Sequence, residues 1–169
     1  MNEKIPCVIG IDPGLRNTGY GIISFSKNKF LCFEFGTIKT NPELSQGERL
    51  LIIFDKITSI VKKYNPSEAG IETLYFAKNV TSAMGVSEAR GVVLLALAQN
   101  GVRVSEYAPN TIKKAVTGIA MAEKQQVQEA VKLILGLNKI PETDHAADAL
   151  AAAITKINIG DIGENKLYV

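Results

Sequence analysis

The sequence is poor in the features that mark several common classes of protein. It has only two cysteines, Cys7 and Cys32, which form no metal-ligand spacing, and Cys7 lies in an apolar run typical of a buried, reduced thiol. This cysteine usage fits a reducing cytoplasm. The formal net charge is only +2, so charge does not identify a nucleic-acid-binding protein, and any surface that binds DNA must be local.

Long apolar runs are also missing. The N-terminal segment carries charges of both signs around a short apolar stretch, which predicts neither a signal peptide nor a membrane helix. The most apolar later segment, Gly91 to Ala98, is too short to span a bilayer. Without a repeat, low-complexity segment or linker, the 169 residues predict a single domain over residues 1–158 and a flexible tail over residues 159–169. We expect a soluble cytoplasmic protein with no membrane partner.

Strand and helix patterns alternate along the chain. Apolar or β-rich runs predict strands at Cys7–Ile11, Gly19–Phe25, Phe30–Thr37, Ala69–Leu74 and Val102–Tyr107. Caps and helical periodicity predict helices at Ser45–Tyr64, Val80–Gln99, Thr111–Thr117, Glu123–Leu135 and about Thr143–Ile157. The helical crossover before the fourth strand predicts that this strand is parallel to the first. The order of elements is typical of an α/β fold, a mixed five-stranded sheet with helices on both faces.

Two acidic residues belong to strands that are otherwise apolar. Asp12 directly continues the first strand, at the carboxyl end where open α/β sheets bind ligands, although it could equally cap the turn at Pro13-Gly14. Glu72 interrupts the fourth strand, and an unpaired buried carboxylate is costly. If the two strands are parallel neighbours, both carboxylates lie close together, and a divalent metal ion would neutralise them. An ion pair between Glu72 and a lysine or arginine is the alternative.

A third polar group begins the last predicted helix. His145 and Asp148 are three residues apart and share a helix face. Asp144 is also near, but an acid in the first helical turn is explained by the helix dipole. His145, the only histidine, could bind a metal or position the attacking water, although a lone histidine is more often structural. With Asp12 and Glu72, these residues favour Mg²⁺ or Mn²⁺ over zinc, and two-metal hydrolysis of a phosphodiester.

Several segments together resemble the RuvC family of Holliday junction resolvases, over about Ile9 to Ile154. They are GIDPGLRNTGYGII, IETLYFAKNVTSA continuing into EARGVVL, EYAPNTIKKAVTG, AEKQQV and DHAADALAAAI. The resemblance implies an RNase H-like fold and a homodimeric bacterial endonuclease that makes paired nicks in four-way DNA junctions during recombination and repair. It further implies Mg²⁺ as cofactor, with Mn²⁺ as a substitute, and a branch-migration helicase complex as a partner.

The resemblance also assigns roles to the acidic residues. The family's four metal-binding positions fall on Asp12, Glu72, His145 and Asp148. The third of these is often aspartate and in some members histidine, as here. A charge-neutral ligand therefore stands where other members have an anion, which leaves the number and preference of the metal ions open.

The same resemblance points to residues that contact DNA. Tyr75 occupies the place of a family aromatic near the junction centre, and Phe76 follows it; either ring would stack on an unpaired base, or simply cover the core at a strand end. The other candidates are Lys78, Asn79, Arg90, Lys113, Lys114 and Lys124. Their expected role is to neutralise phosphates, although each lysine could be an ordinary solvated charge. Lys124 is the preferred catalytic candidate, because a helix is predicted to begin beside it.

Two other functions compete with this interpretation. The GIDPGLRNTG segment also resembles the phosphate-binding hairpin of actin-like ATPases and sugar kinases, but those proteins need two such domains and a second phosphate loop. A non-catalytic junction-binding module would keep the fold, but its carboxylates would repel the DNA backbone without a metal. Paired cuts in a symmetric junction require a two-fold partner, and the helix from Met84 to Leu97 is the predicted interface.

Overall fold

The computed structural model describes residues 6–73 and 80–159. Tyr75, Phe76, Lys78, Asn79 and residues 160–169 of the predicted tail lie outside the described residues. The elements are β1 Val8–Asp12, β2 Asn17–Ser26, β3 Lys29–Lys39, α1 Gln46–Tyr64, β4 Glu68–Glu72, α2 Val80–Gln99, β5 Arg103–Tyr107, α3 Pro109–Thr117, α4 Lys124–Leu135 and α5 Asp144–Ile159. Within these ranges, no helix combines the length and apolarity needed to cross a membrane.

The five strands form one sheet in the order β3-β2-β1-β4-β5. The first three strands are antiparallel neighbours, whereas β4 is parallel to both β1 and β5. The predicted mixed sheet and the parallel pairing of its first and fourth strands are therefore confirmed. The β2–β3 hairpin is longer than predicted, because its ladder runs from the turn at Lys27 and Asn28, both with positive φ, to a pair between Asn17 and Lys39.

The sheet separates two apolar cores. Ile9, Ile11 and Ile71 are fully buried on the face that packs against α1 and α2. Val8 and Ile23, from alternate strand positions, belong to the core with α3, α4 and α5. Each fully buried isoleucine contributes about 1.5–3 kcal/mol of hydrophobic stabilisation. Helices thus cover both faces, as the sequence predicted.

The α1 helix begins and ends as its sequence predicts. The Ser45 hydroxyl accepts a hydrogen bond from the Glu48 backbone N–H, and the Glu48 carboxylate accepts one from the Ser45 backbone N–H. Asn65 ends the helix in the left-handed region, with φ of 50°. The same kind of cap ends α3 at Gly118 and α4 at Gly136. These C-terminal caps determine where each helix ends and where the following strand or loop begins.

Helix α5 lies directly on the sheet, because glycines leave room for its backbone. A Cβ atom added at Gly10 would lie 1.9 Å from the Ala149 carbonyl oxygen, and one at Gly19 would lie 1.8 Å from the His145 carbonyl oxygen. Both distances are far below van der Waals contact and involve main-chain atoms that cannot rotate away. Gly19 is paired with Asp12 in the sheet, so this contact holds the first turn of α5 beside the carboxyl end of β1.

Candidate active site

Three carboxylates lie near one another where α5 crosses the carboxyl ends of β1 and β4. Ile11 pairs with Ile71 in the parallel β1–β4 ladder, so the residues that follow them, Asp12 and Glu72, end neighbouring strands at the same edge. Asp148 comes from the first part of α5, which is held on the same strands. The predicted proximity of the strand-end carboxylates is a direct result of the parallel pairing.

Burial and neighbouring negative charges raise the pKa of two of these carboxyl groups. Burial first, followed by the charges of Asp12 and Asp148, raises the pKa of Glu72 to about 7, while Lys113 acts in the opposite direction. Burial and then Asp12 raise the pKa of Asp148 to about 6, and Lys124 opposes this shift. Buried carboxyl groups whose pKa is raised by neighbouring negative charge form a cluster whose ionised state a cation would stabilise.

His145 is attached to this cluster through Asp12. Its Nδ1 lies 2.7 Å from Asp12 Oδ2, and the two side chains are 41% and 17% exposed. This hydrogen bond is the main cause that raises the pKa of His145 above its ordinary value. Because the Nδ1–H donates to the carboxylate, Nε2 is the ring nitrogen that remains for a water molecule or a cation.

A cavity of about 250 Å³ opens beside the carboxylates. This is several times the share of one water molecule in the liquid, about 30 Å³. Its lining residues are Glu72, Pro109, Ile112, Lys113, Lys124, Val127 and Asp148. Two ammonium groups and two carboxylates therefore line one space, an arrangement suited to a phosphate group that needs both a metal and direct positive charge.

The predicted basic residues do not all lie in this cavity. Lys113 and Lys124 line it, whereas Lys114, the next residue on α3, is exposed and is not among the lining residues. Arg90 Nη2 lies 2.5 Å from Glu106 Oε2 and ties α2 to β5. That ion pair gives Arg90 a structural partner, and its contact with DNA stays a prediction.

The donor set suits a hard divalent cation in an open site. Among residues 6–73 and 80–159, no three histidine, cysteine, aspartate or glutamate side chains are already close enough to enclose a metal ion. Mg²⁺ does not require such an enclosure, because it usually keeps several waters and takes substrate phosphate oxygens as ligands. Three carboxylates and one imidazole at a single edge, two of the carboxyl groups with raised pKa, fit this kind of site.

Sequence reasoning missed two residues beside Lys124. The Lys124 ammonium lies 2.6 Å from Asp144 Oδ2, and the Gln128 amide donates to Asp144 Oδ1 at 2.7 Å. Asp144 had been explained by the helix dipole alone, and Gln128 had no role. The available signal was weak: Lys124 and Gln128 are four residues apart and share one face of α4.

The mixed sheet has acidic residues at the ends of its first and fourth strands, and the last helix supplies a third acid. This arrangement is the one expected of a metal-dependent nuclease with an RNase H-like fold. The model of the RuvC family, described as crossover junction endodeoxyribonuclease RuvC, matches residues 8–156. The chain therefore belongs to the RuvC family.

Individual relatives agree with this assignment. The chain is 78% identical over 164 residues to the crossover junction endodeoxyribonuclease RuvC of Treponema denticola, covering 97% of this chain and 92% of that protein. It is 52% identical to the protein of the same name from Treponema pallidum, covering 92% and 80% of the two chains. A solved structure of Thermus thermophilus RuvC in complex with Holliday junction substrate is 32% identical, with a TM-score of 0.89 and coverage of 94% and 96%.

Family membership confirms the predicted RNase H-like fold and the predicted enzyme, a crossover junction endodeoxyribonuclease of recombination and repair. Dependence on a divalent metal ion comes with membership of this nuclease family. The roles of the individual side chains stay predictions, which the geometry allows us to develop.

Proposed function

We propose that this chain resolves four-way DNA junctions by Mg²⁺-dependent hydrolysis of one phosphodiester bond in each active site, and that Mn²⁺ can replace Mg²⁺. The observation that carries the proposal is the cavity in which Glu72 and Asp148 face Lys113 and Lys124. DNA binding without catalysis does not explain two buried carboxyl groups, Glu72 and Asp148, with raised pKa beside two lysines.

The carboxylates and the imidazole have distinct roles in this proposal. Asp12, Glu72 and Asp148 would hold the metal, with His145 as a fourth ligand or as the group that orients water. When bound, the metal would supply Lewis acidity for the phosphoryl group and for the attacking water molecule. Asp12 fixes the His145 ring through the Nδ1 hydrogen bond, so Nε2 is held in one orientation.

The two lysines act on the substrate directly. As the phosphodiester is attacked, negative charge accumulates on its non-bridging oxygens. Lys113 and Lys124 line the cavity and place ammonium groups where that charge develops, which lowers the barrier to hydrolysis.

The remaining DNA contacts would place the junction on the protein. Tyr75 and Phe76 follow Glu72 closely in sequence, and we assign them to stacking against bases at the branch point. Contacts with the phosphate backbone are assigned to Lys78, Asn79, Arg90 and Lys114. These contacts position the duplex arms, while the carboxylates select the bond that is cut.

Paired nicks require two active sites, so we propose that the protein acts as a homodimer. Met84 and Leu95 of α2 are 61% and 60% exposed, and they lie eleven residues apart, on the same side of the helix. Gly91 lies between them on that side, with open space around its Cβ position. An apolar helix face with a small residue at its centre supports close packing against a second copy of α2.

We also assign the protein to the bacterial cytoplasm, with a branch-migration helicase complex as its partner on DNA.

The test is cleavage of a synthetic four-way junction. Wild-type protein should nick two opposing strands with Mg²⁺ or Mn²⁺ and should be inactive with EDTA. Asp12→Asn should lose at least about 10³-fold in rate, because it removes an anionic metal ligand, and should still bind the junction. Asp55→Asn is the matched control, since Asp55 is an exposed acid on α1. An inactive wild type, or cleavage that resists EDTA, would overturn the proposal.

A further inference from the structure

Asp144 joins the first turns of two helices next to the cavity. It is the first residue of α5, and its two carboxylate oxygens accept from different residues of α4. One oxygen lies 2.6 Å from the Lys124 ammonium, and the other accepts from the Gln128 amide at 2.7 Å. Lys124 and Gln128 are one helical turn apart, so both oxygens are engaged and the carboxylate is fixed in orientation.

Lys124 makes this contact while it also lines the cavity that contains Glu72 and Asp148. A lysine ammonium has three N–H donors, and the ion pair with Asp144 uses one of them. The other donors remain for a phosphate oxygen in the cavity. The contact with Asp144 therefore does not remove Lys124 from the site.

The ion pair contributes little to folding. Lys124 and Asp144 are each 56% exposed, and ion pairs between exposed side chains add little to the stability of a fold. A flexible lysine side chain, in contrast, loses much of its rotamer freedom when it is fixed in one position. A group that orders the lysine before the substrate arrives reduces that cost in the transition state.

We propose that Asp144 is a positioning residue for the cleavage reaction, which holds the Lys124 ammonium at the cavity so that it meets the scissile phosphate. This role goes beyond the stabilisation of the α5 dipole, and it rests on the proposed function, in which Lys124 acts on the phosphate. Gln128 supports the arrangement by fixing the second carboxylate oxygen.

The test compares Asp144→Asn with Glu142→Gln. Glu142 is an exposed acid two residues earlier, whose ion pair is with Lys139, so both variants remove one negative charge from the same segment. Under single-turnover conditions with saturating protein, Asp144→Asn should cleave about tenfold more slowly, the effect expected for one lost charge-assisted hydrogen bond. Its Kd for the junction should change no more than that of Glu142→Gln, which should cleave at the wild-type rate. Melting temperatures of both variants should stay within a few degrees of wild type.

A double-mutant cycle then asks whether Asp144 acts through Lys124. In the Lys124→Ala background, Asp144→Asn should cause no further loss of rate, and Asp144→Glu in the wild-type background should recover part of the activity. Wild-type or faster cleavage by Asp144→Asn would overturn the proposal, as would an equal loss in both backgrounds.

A second readout does not depend on cleavage. Labelling of Lys124 by an amine-acylating reagent, followed by mass spectrometry, should be severalfold faster in Asp144→Asn than in wild type or Glu142→Gln, because the ammonium loses its partner. Unchanged labelling would overturn the inference. If wild-type protein failed to cut the junction while the labelling difference held, the proposed function would fail and the contact between Asp144 and Lys124 would stand.

Discussion

His145 and Asp12 are 133 residues apart in sequence, yet His145 Nδ1 and Asp12 Oδ2 are 2.7 Å apart in the folded chain. The contact joins the first turn of α5 to the end of β1. It gives the single histidine a defined partner and orients its ring in the carboxylate cluster. An imidazole at this position also adds no further negative charge to the cluster, where the charge of Asp12 already raises the pKa of Glu72 and Asp148.

The residue at position 145 should therefore control how much metal the enzyme requires. His145→Asp should remain active and reach half-maximal cleavage at a lower Mg²⁺ concentration, because an added anionic ligand strengthens binding of a hard cation. His145→Ala should lose about 100-fold in rate, since a general-base or orienting group typically contributes 10²–10⁴-fold. Cleavage rates across a Mg²⁺ titration provide the measurement. Wild-type activity in His145→Ala would show that the ring is structural.

The carboxylate cluster should destabilise the fold in the absence of divalent ions. Burial and Asp12 raise the pKa of Asp148 to about 6, so its ionised form at pH 8 opposes folding. In EDTA, Asp148→Asn should therefore unfold at a higher urea concentration than wild type. Its free energy of unfolding should be larger by about 1–3 kcal/mol. With Mg²⁺ present, the wild type should gain stability and the variant should gain less. The opposite order in EDTA would contradict the repulsion described for this site.

A second acidic residue, on the other side of the sheet, should stabilise the fold. Glu34 accepts hydrogen bonds from Lys63, Tyr64 and Tyr20 at 2.5, 2.6 and 2.9 Å. These contacts, led by that of Lys63, lower the pKa of Glu34 to about 2. Because the folded pKa lies below the ordinary value of 4.5, the stabilisation is complete above pH 4.5 and is lost as the pH falls towards 2.

Glu34→Gln measures this contribution. After allowance for solvent screening of the partly exposed pair, the variant should be about 1 kcal/mol less stable than wild type at pH 7. The difference should shrink as the pH falls from 4.5 towards 2. Urea unfolding at several pH values provides the measurement, with the exposed Glu43→Gln as control. A constant difference across this range would mean that packing, and not charge, explains the effect.

Gly19→Ala should damage both stability and catalysis. The added methyl group would lie 1.8 Å from the His145 carbonyl oxygen, so α5 must move away from β2, and the fold should lose about 3 kcal/mol or more. Since that movement displaces His145 and Asp148, cleavage should fall even at temperatures where the variant is folded. Gly47→Ala is the control, because open space surrounds that position on α1. Unimpaired cleavage by folded Gly19→Ala would show that the site tolerates a shift of α5.

The strand and helix order was predictable from the sequence because local patterns determine it. The apolar run before Asp12 and the capping box at Ser45 each depend on neighbouring residues, and the structure confirms both elements. The parallel pairing of β1 and β4 followed from the length of the crossover. The sequence alone therefore predicts that Glu72 lies beside Asp12. The ends of the β2–β3 hairpin were not predictable, because cross-strand pairing, and not local propensity, extends the ladder to Asn17 and Lys39.

The contacts that complete the site depend on how helices pack. Nothing near Lys124 in the sequence indicates that Asp144 is its partner, because the pair forms only when α4 and α5 lie side by side. The same reason hid the role of Gln128. Arg90 was grouped with the DNA-contacting residues from sequence, whereas its ion pair with Glu106 depends on the packing of α2 against β5.

The glycine contacts beneath α5 fix the position of residue 145 without fixing the chemistry of its side chain. At Gly19, the sheet meets the main chain of residue 145 and not its side chain. The position of residue 145 is therefore set independently of which amino acid it is. We therefore expect that replacing His145 with aspartate changes the charge of the site while the main chain of α5 keeps its place on the sheet.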